Sequence, residues 1–149
     1  VQPGDDLARL VVEGLAASGE QLRDGDVLVL AQKIVSKAEG RSVRLADVVA
    51  SPRAHELGAQ CDKDPRLVEL ILSEAAEVLR VRPGVIVVVH RLGFVLANAG
   101  IDRSNVGPDA DDGERVLLLP RDPDGSAQAL RDTLRKATGA TVAVIINDS

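Results

Sequence analysis

A chain of 149 residues is long enough for one domain with its own core. A net charge of −5 and a single aromatic residue, Phe94, argue against nucleic-acid binding, which needs a basic face or stacking platforms. The lone Cys61 excludes an internal disulfide framework and fits a reducing, cytoplasmic compartment, and no apolar run nears the roughly 20 residues that span a bilayer. The core must be built from Val, Leu, Ile and Ala.

Asp5 and Asp6 open a helix over 6–18 that carries Leu7, Leu10, Val11 and Leu15 on one face, with Gly19 as its stop. Asp24-Gly25-Asp26 is a turn, and 27–31 is a short, apolar, β-branched strand. The stretch 32–40 stands out for its two lysines, serine and glutamate, and 41–45 reads as a shorter strand. Residues 46–64 are polar and weakly patterned, with short helical pieces at best. Pro65 starts a helix predicted to run to 79, with Leu67, Val68, Ile71, Leu72, Ala75 and Leu79 at helical spacing. After Pro83-Gly84, strands are predicted at 85–89, 94–97 and 116–119, separated by a loop from Asn98 onward. Asp122, Asp124 and Ser126 cap a helix over 125–138 that Gly139 ends, and 141–146 is the last apolar strand. The fold class is α/β, or α+β, with one or two mixed sheets and packed helices; continuous apolar strands predict a sheet covered on both faces.

Polar clusters follow three strand ends: Gln32 to Lys37, Asn98 to Asn105, and Asn147-Asp148-Ser149. Ligands of open α/β sheets bind outside strand ends. A carboxylate there, with a hydroxyl and a glycine-loosened backbone, suits a hard cation, which takes oxygen ligands and shares them with substrate phosphates. Lys33 and Lys37 supply mobile positive charge. Taken singly, each has a plainer reading: Asp102 and Asp148 as turn formers, the lysines as a solvated face. Neither a GxxxxGK[ST] nor a GxGxxG loop is present. Cys61 reads as a structural thiol, and His55 and His90 follow no zinc spacing.

Together the loops carry more than they do singly. The run from Asp26 to Arg41, DVLVLAQKIVSKAEGR, resembles the first signature of the coenzyme F-420 gamma-glutamyl ligase family. The run from Gly93 to Val106, GFVLANAGIDRSNV, resembles its most distinctive one, Leu118 to Ala127 is similar to a third, and Val144 to Ser149 is similar to the start of a fourth. The motifs occur in order through the whole chain. The resemblance implies an enzyme that uses GTP to activate the terminal carboxylate of a deazaflavin precursor as an acyl phosphate, which the amine of L-glutamate then attacks. It implies two divalent cations, Mg or Mn, and is compatible with a monovalent cation such as potassium. By motif position, Asp102, Asp148 and Ser149 hold metal, and Val1, Gln32, Lys37 and Asn105 contact the nucleotide, Val1 as the one remaining residue of its segment. Asp102 and Asp148 are expected to approach one another.

No protein nucleophile is implied. Gln32 stands where the family often has Thr or Ser, and Ser149 where Thr is common. The resemblance also implies a homodimer. Without an initial Met, and stopping just after an apolar run, the chain reads as the N-terminal part of the ligase domain, trimmed at both ends and inactive alone. The alternatives are a nucleotide- and metal-binding or assembly module without turnover, and a structural α/β domain.

Overall fold

The computed structural model describes residues 1–103 and 114–148. In chain order the elements are α1 (Leu7–Ala17), β1 (Val27–Ala31), α2 (Gln32–Ala38), β2 (Ser42–Arg44), α3 (Pro52–Cys61), α4 (Pro65–Glu74), β3 (Ala75–Arg82), β4 (Val85–His90), β5 (Val95–Ala97), β6 (Arg115–Leu117), α5 (Pro123–Thr138) and β7 (Ala143–Asn147). This is an α/β fold with parallel and antiparallel pairing. The chain forms two compact units, one of Val1–Arg41 with Leu119–Ser149 and one of Ser42–Leu118.

In the first unit β1 and β7 pair in parallel, Val27 opposite Ala143 through Ala31 opposite Asn147. Helices α1 and α5 pack beside the pair because their apolar faces need cover. Ala8, Leu30, Val35, Leu130, Leu134, Ala140 and Val142 form the core. The helix ends follow local chemistry. The Asp6 carboxylate accepts the Arg9 N–H at 3.0 Å and that of Asp122 accepts Gly125 N–H at 2.9 Å. Gly139 ends α5 at φ 77°, a conformation that favours glycine. Val27, Val29 and Ile145 are about half exposed, so the expectation of cover on both faces fails for this pair. Their alternates Leu28, Leu30, Val144 and Ile146 face the core, the ordinary period-two division of a strand.

The second unit has a core of Leu45, Ala54, Cys61, Leu67, Val68, Ile71, Ile86, Val88, Ala99 and Val116. Strands β3, β4 and β5 make an antiparallel sheet, and β2 pairs antiparallel with β6 where the chain enters and leaves the unit. The strands thus fall into three small sheets rather than one or two.

Two other expectations are corrected here. Residues 75–79 are strand, not helix: the predicted helix stops at Glu74, and Ala75 to Arg82 pair with β4 around the turn before Val85. A hairpin ladder and the β-branched Val78 and Val81 outweigh a helical spacing that Ala75 and Leu79 only prolong. Residues 52–61 are a three-turn helix rather than short pieces. The Ser51 hydroxyl accepts the Ala54 N–H at 3.2 Å, Pro52 takes the first turn, and the inward face is Ala54, Gly58 and Cys61. Those side chains are too small to register as an apolar stripe. A Cβ at Gly58 would lie 2.9 Å from the Lys63 carbonyl oxygen, so the close return of the chain into α4 requires glycine.

At the far end of the β3–β4 hairpin, buried His90 sits against Glu74. The His90 Nδ1 accepts Leu92 N–H at 3.0 Å, which leaves Nε2 to carry the proton, 3.4 Å from Glu74 Oε2. Arg91 Nε lies 3.2 Å from the same oxygen. His90 therefore lies at the open end of the hairpin, and Cys61 is a buried free thiol.

Two predictions follow from this packing. Leu134→Ala empties a fully buried site and lowers stability by about 2–5 kcal/mol in urea unfolding. In the second unit, hydrogen bonds from Arg66 hold the Asp64 carboxyl below its ordinary value, and those from Ser51 do the same for Glu69. A depressed folded pKa gives stability that is complete above the ordinary carboxylate range and is lost as pH falls through the folded values. Unfolding of the double variant Asp64→Asn/Glu69→Gln at pH 7 and pH 3 should show a smaller difference between the two pH values than the unsubstituted chain.

Candidate functional site

The parallel register decides which predicted residues meet. Because Ala31 pairs with Asn147, the next residues on the two strands, Gln32 and Asp148, leave the sheet at the same carboxyl-terminal edge. Such edges are where open α/β sheets bind ligands. Gln32 begins α2 and is 3% exposed, whereas Asp148 is exposed. Lys37 lies in the last turn of α2 and is half-buried. Val1 is exposed, on a segment that reaches the other end of α2, where Gly4 N–H donates to the Ala38 carbonyl at 2.8 Å.

Two residues that the sequence reading left without a role organise this helix. Ser36, one turn after Gln32, is fully buried, and its hydroxyl donates to Gln32 Oε1 at 2.9 Å. The Gln32 Nε2 is buried with no hydrogen-bond partner among the described residues. Glu39 accepts the Arg121 N–H at 2.8 Å and the Ser126 hydroxyl at 2.7 Å, and Arg41 Nε donates to the Leu119 carbonyl at 2.8 Å. The third motif is thereby tied to the first. The i,i+4 spacing of Gln32 and Ser36 was the available signal for one of these contacts; nothing local announces the other, which joins residues 82 and 87 apart. A cleft of about 470 Å³ beside α5 and β7, lined by Asp124, Gln128, Arg131 and Thr141 among others, contains none of the predicted site residues.

Asp102 belongs to the second unit. Its backbone is held by Leu117 in both directions, Asp102 N–H to the Leu117 carbonyl at 3.0 Å and Leu117 N–H to the Asp102 carbonyl at 2.8 Å, and its Oδ2 is buried. The three residues Asn98, Ala99 and Gly100, just before it, have φ of 52°, 54° and 65°. A left-handed turn of this kind costs roughly 1–2 kcal/mol per non-glycine residue and persists only where the surroundings impose it. Here Asn98 Oδ1 accepts the N–H of fully buried Ile86 at 3.0 Å, and Ala99 is itself buried. Asn105 and Ser149 lie outside the described residues. Among the described residues no three His, Cys, Asp or Glu side chains cluster as a metal site.

Asn98→Ala removes the acceptor of a buried backbone donor and places alanine in a left-handed position. It should cost about 1–3 kcal/mol in urea unfolding, well beyond an exposed loop substitution such as Phe94→Ala.

Residues 1–149 match the family described as F420-0:Gamma-glutamyl ligase. The chain is 50% identical over 149 residues to a protein of Methanothermobacter thermautotrophicus named Coenzyme F420:L-glutamate ligase, covering all of this chain and 57% of that protein. Proteins of the same name from Methanopyrus kandleri and Haloarcula marismortui are 46% and 43% identical, with all of this chain again covered and 55% and 56% of theirs. The chain therefore spans just over half the length of these curated relatives. With the family matched along its whole length, this chain belongs to the F420-0:gamma-glutamyl ligase family.

Proposed function

We propose that this chain is the nucleotide-handling part of a GTP-dependent ligase that joins L-glutamate to a coenzyme F-420 precursor. The observation that carries the reading is the register that brings Gln32 and Asp148 to one strand edge, with Lys37 on the helix that starts there. The names of the relatives support glutamate ligation. GTP, the acyl phosphate and the metals come from the motifs.

In the proposed reaction the precursor's terminal carboxylate attacks the γ-phosphorus of GTP, and GDP leaves. The glutamate amine then attacks the acyl phosphate carbon, loses a proton, and inorganic phosphate departs as the amide forms. Gln32 and Lys37 hold the nucleotide, with Asn105 and Val1 as further contacts, and Lys37 offsets phosphate charge as it shifts between oxygens. The donors present are hard oxygens, the right chemistry for Mg or Mn, and Asp102, Asp148 and Ser149 would hold it. Magnesium usually keeps several waters and is bound through one or two carboxylates plus substrate phosphates, so these few oxygen donors would suit it. Bound there, the metal neutralises phosphate charge.

The remaining parts of the reading are a cytoplasmic location and a homodimer. No described helix is long and apolar enough to cross a membrane. Half-exposed Leu79 and the more exposed Val95 lie on the three-stranded sheet and, with Phe94 in the loop before β5, offer an apolar surface for a second copy. Because the chain spans little more than half the relatives' length, a second reading applies to it by itself: it binds nucleotide and metal without turnover.

The deciding assay follows GDP release with GTP, Mn, glutamate and precursor, comparing the 149 residues with the full length that the gene encodes. Glutamate- and precursor-dependent release is expected from the latter only, and its absence there overturns the ligase reading. In that protein Asp102→Asn should lower turnover by roughly a hundredfold while leaving the melting profile in place, since it removes a ligand charge and no core contact. Unchanged turnover at low metal would remove Asp102 from the site.

A further inference from the structure

The side-chain amide of Gln32 has an acceptor end and a donor end, and the structure treats them differently. Oε1 takes the Ser36 hydroxyl proton at 2.9 Å, while Nε2 is buried and has no acceptor among the described residues. Both side chains are more than nine-tenths buried. A buried amide with idle N–H donors carries its full desolvation penalty, so a native fold that keeps one has a reason outside its own hydrogen bonds. A serine hydroxyl has one proton to give. Directed at Oε1, as it is here, that proton leaves the N–H₂ end of the amide idle. Turned over, the amide would leave an oxygen in that place, and an idle oxygen repels an anion that an idle N–H₂ binds.

We propose that Ser36 is a positioning residue. Its hydroxyl holds the Gln32 amide so that Nε2 is left to donate to an oxygen of the bound nucleoside triphosphate. The inference rests on the nucleotide reading given above and adds to it a residue that touches no ligand. Ser36 follows Gln32 by four positions, so one turn of α2 stacks the two side chains, and the parallel pair β1–β7 fixes where that turn begins.

Titration calorimetry of the full-length protein with GTP and Mg tests it through a double-mutant cycle. Ser36→Ala should weaken GTP binding by about tenfold, as Gln32→Leu does, the loss expected for a hydrogen bond to a charged acceptor. In the Gln32→Leu background the further change Ser36→Ala should then cost nothing, because the group it orients is gone. A serine that serves only the packing of α2 would instead weaken binding by the same factor in both backgrounds. Should Ser36→Ala fail to fold, Ser36→Cys, similar in volume with a much weaker donor, carries the same comparison. A second readout is the Gln32 side-chain N–H₂ resonance, which should shift on GTP addition in the unsubstituted protein and not in Ser36→Ala. Additive losses, or undiminished affinity in Ser36→Ala, overturn the role of Ser36 while leaving the nucleotide reading intact. An unsubstituted protein that binds no GTP overturns both.

Discussion

Everything in the first unit depends on the parallel pairing of β1 with β7. Parallel strands cannot be joined by a tight turn, so a crossover must intervene. Here it includes the whole of Ser42–Leu118, an entire compact unit with its own core. The pairing supplies the surface on which α1 and α5 bury their apolar faces. Its register also fixes the chemistry. A slip of one residue would turn Leu28, Leu30, Val144 and Ile146 away from the core and separate Gln32 from Asp148. Core burial therefore enforces the placement of the two polar residues at the strand edge.

The polar groups of that unit are divided according to what they can find within it. Glu39 satisfies both its oxygens on the segment that leads into α5, and Asp122 caps that helix, so the third motif is held by ordinary structural hydrogen bonds. Among the described residues of that unit, Gln32 alone keeps a buried donor idle. The contrast with His90 and Glu74 in the second unit is instructive. They too are buried, but Leu92 N–H and the Arg91 guanidinium meet them at the end of a hairpin, which is a sufficient structural account. The same physics, the cost of burying an unmet polar group, separates a packing residue from a candidate ligand-binding one.

The second unit shows another way of holding a site residue. Asp102 gains nothing from helix or strand propensity. Its backbone is clamped to Leu117, and the turn before it is a run of left-handed residues kept in place by Asn98 and by the burial of Ala99. The cost of that turn is met by packing elsewhere in the unit.

By itself, the sequence determined the elements whose signals are local. It gave β1, β4, β7 and the bounds of α1 and α5 because short β-branched runs, aspartate caps and Gly139 act on their own neighbours. It also determined the family, because the motifs that resemble it occur in order through the chain. Only the tertiary structure decided the rest. Residues 75–79 became strand because a hairpin partner was available, and α3 formed on small side chains that are apolar enough only when packed against α4. The division into two units, the parallel register that sets Gln32 beside Asp148, and the tie of Glu39 to Arg121 and Ser126 arose between distant parts of the chain. Spacing along a sequence records which faces are apolar; which polar atoms are left unmet once those faces close depends on every neighbour that arrives, and that is settled only in three dimensions.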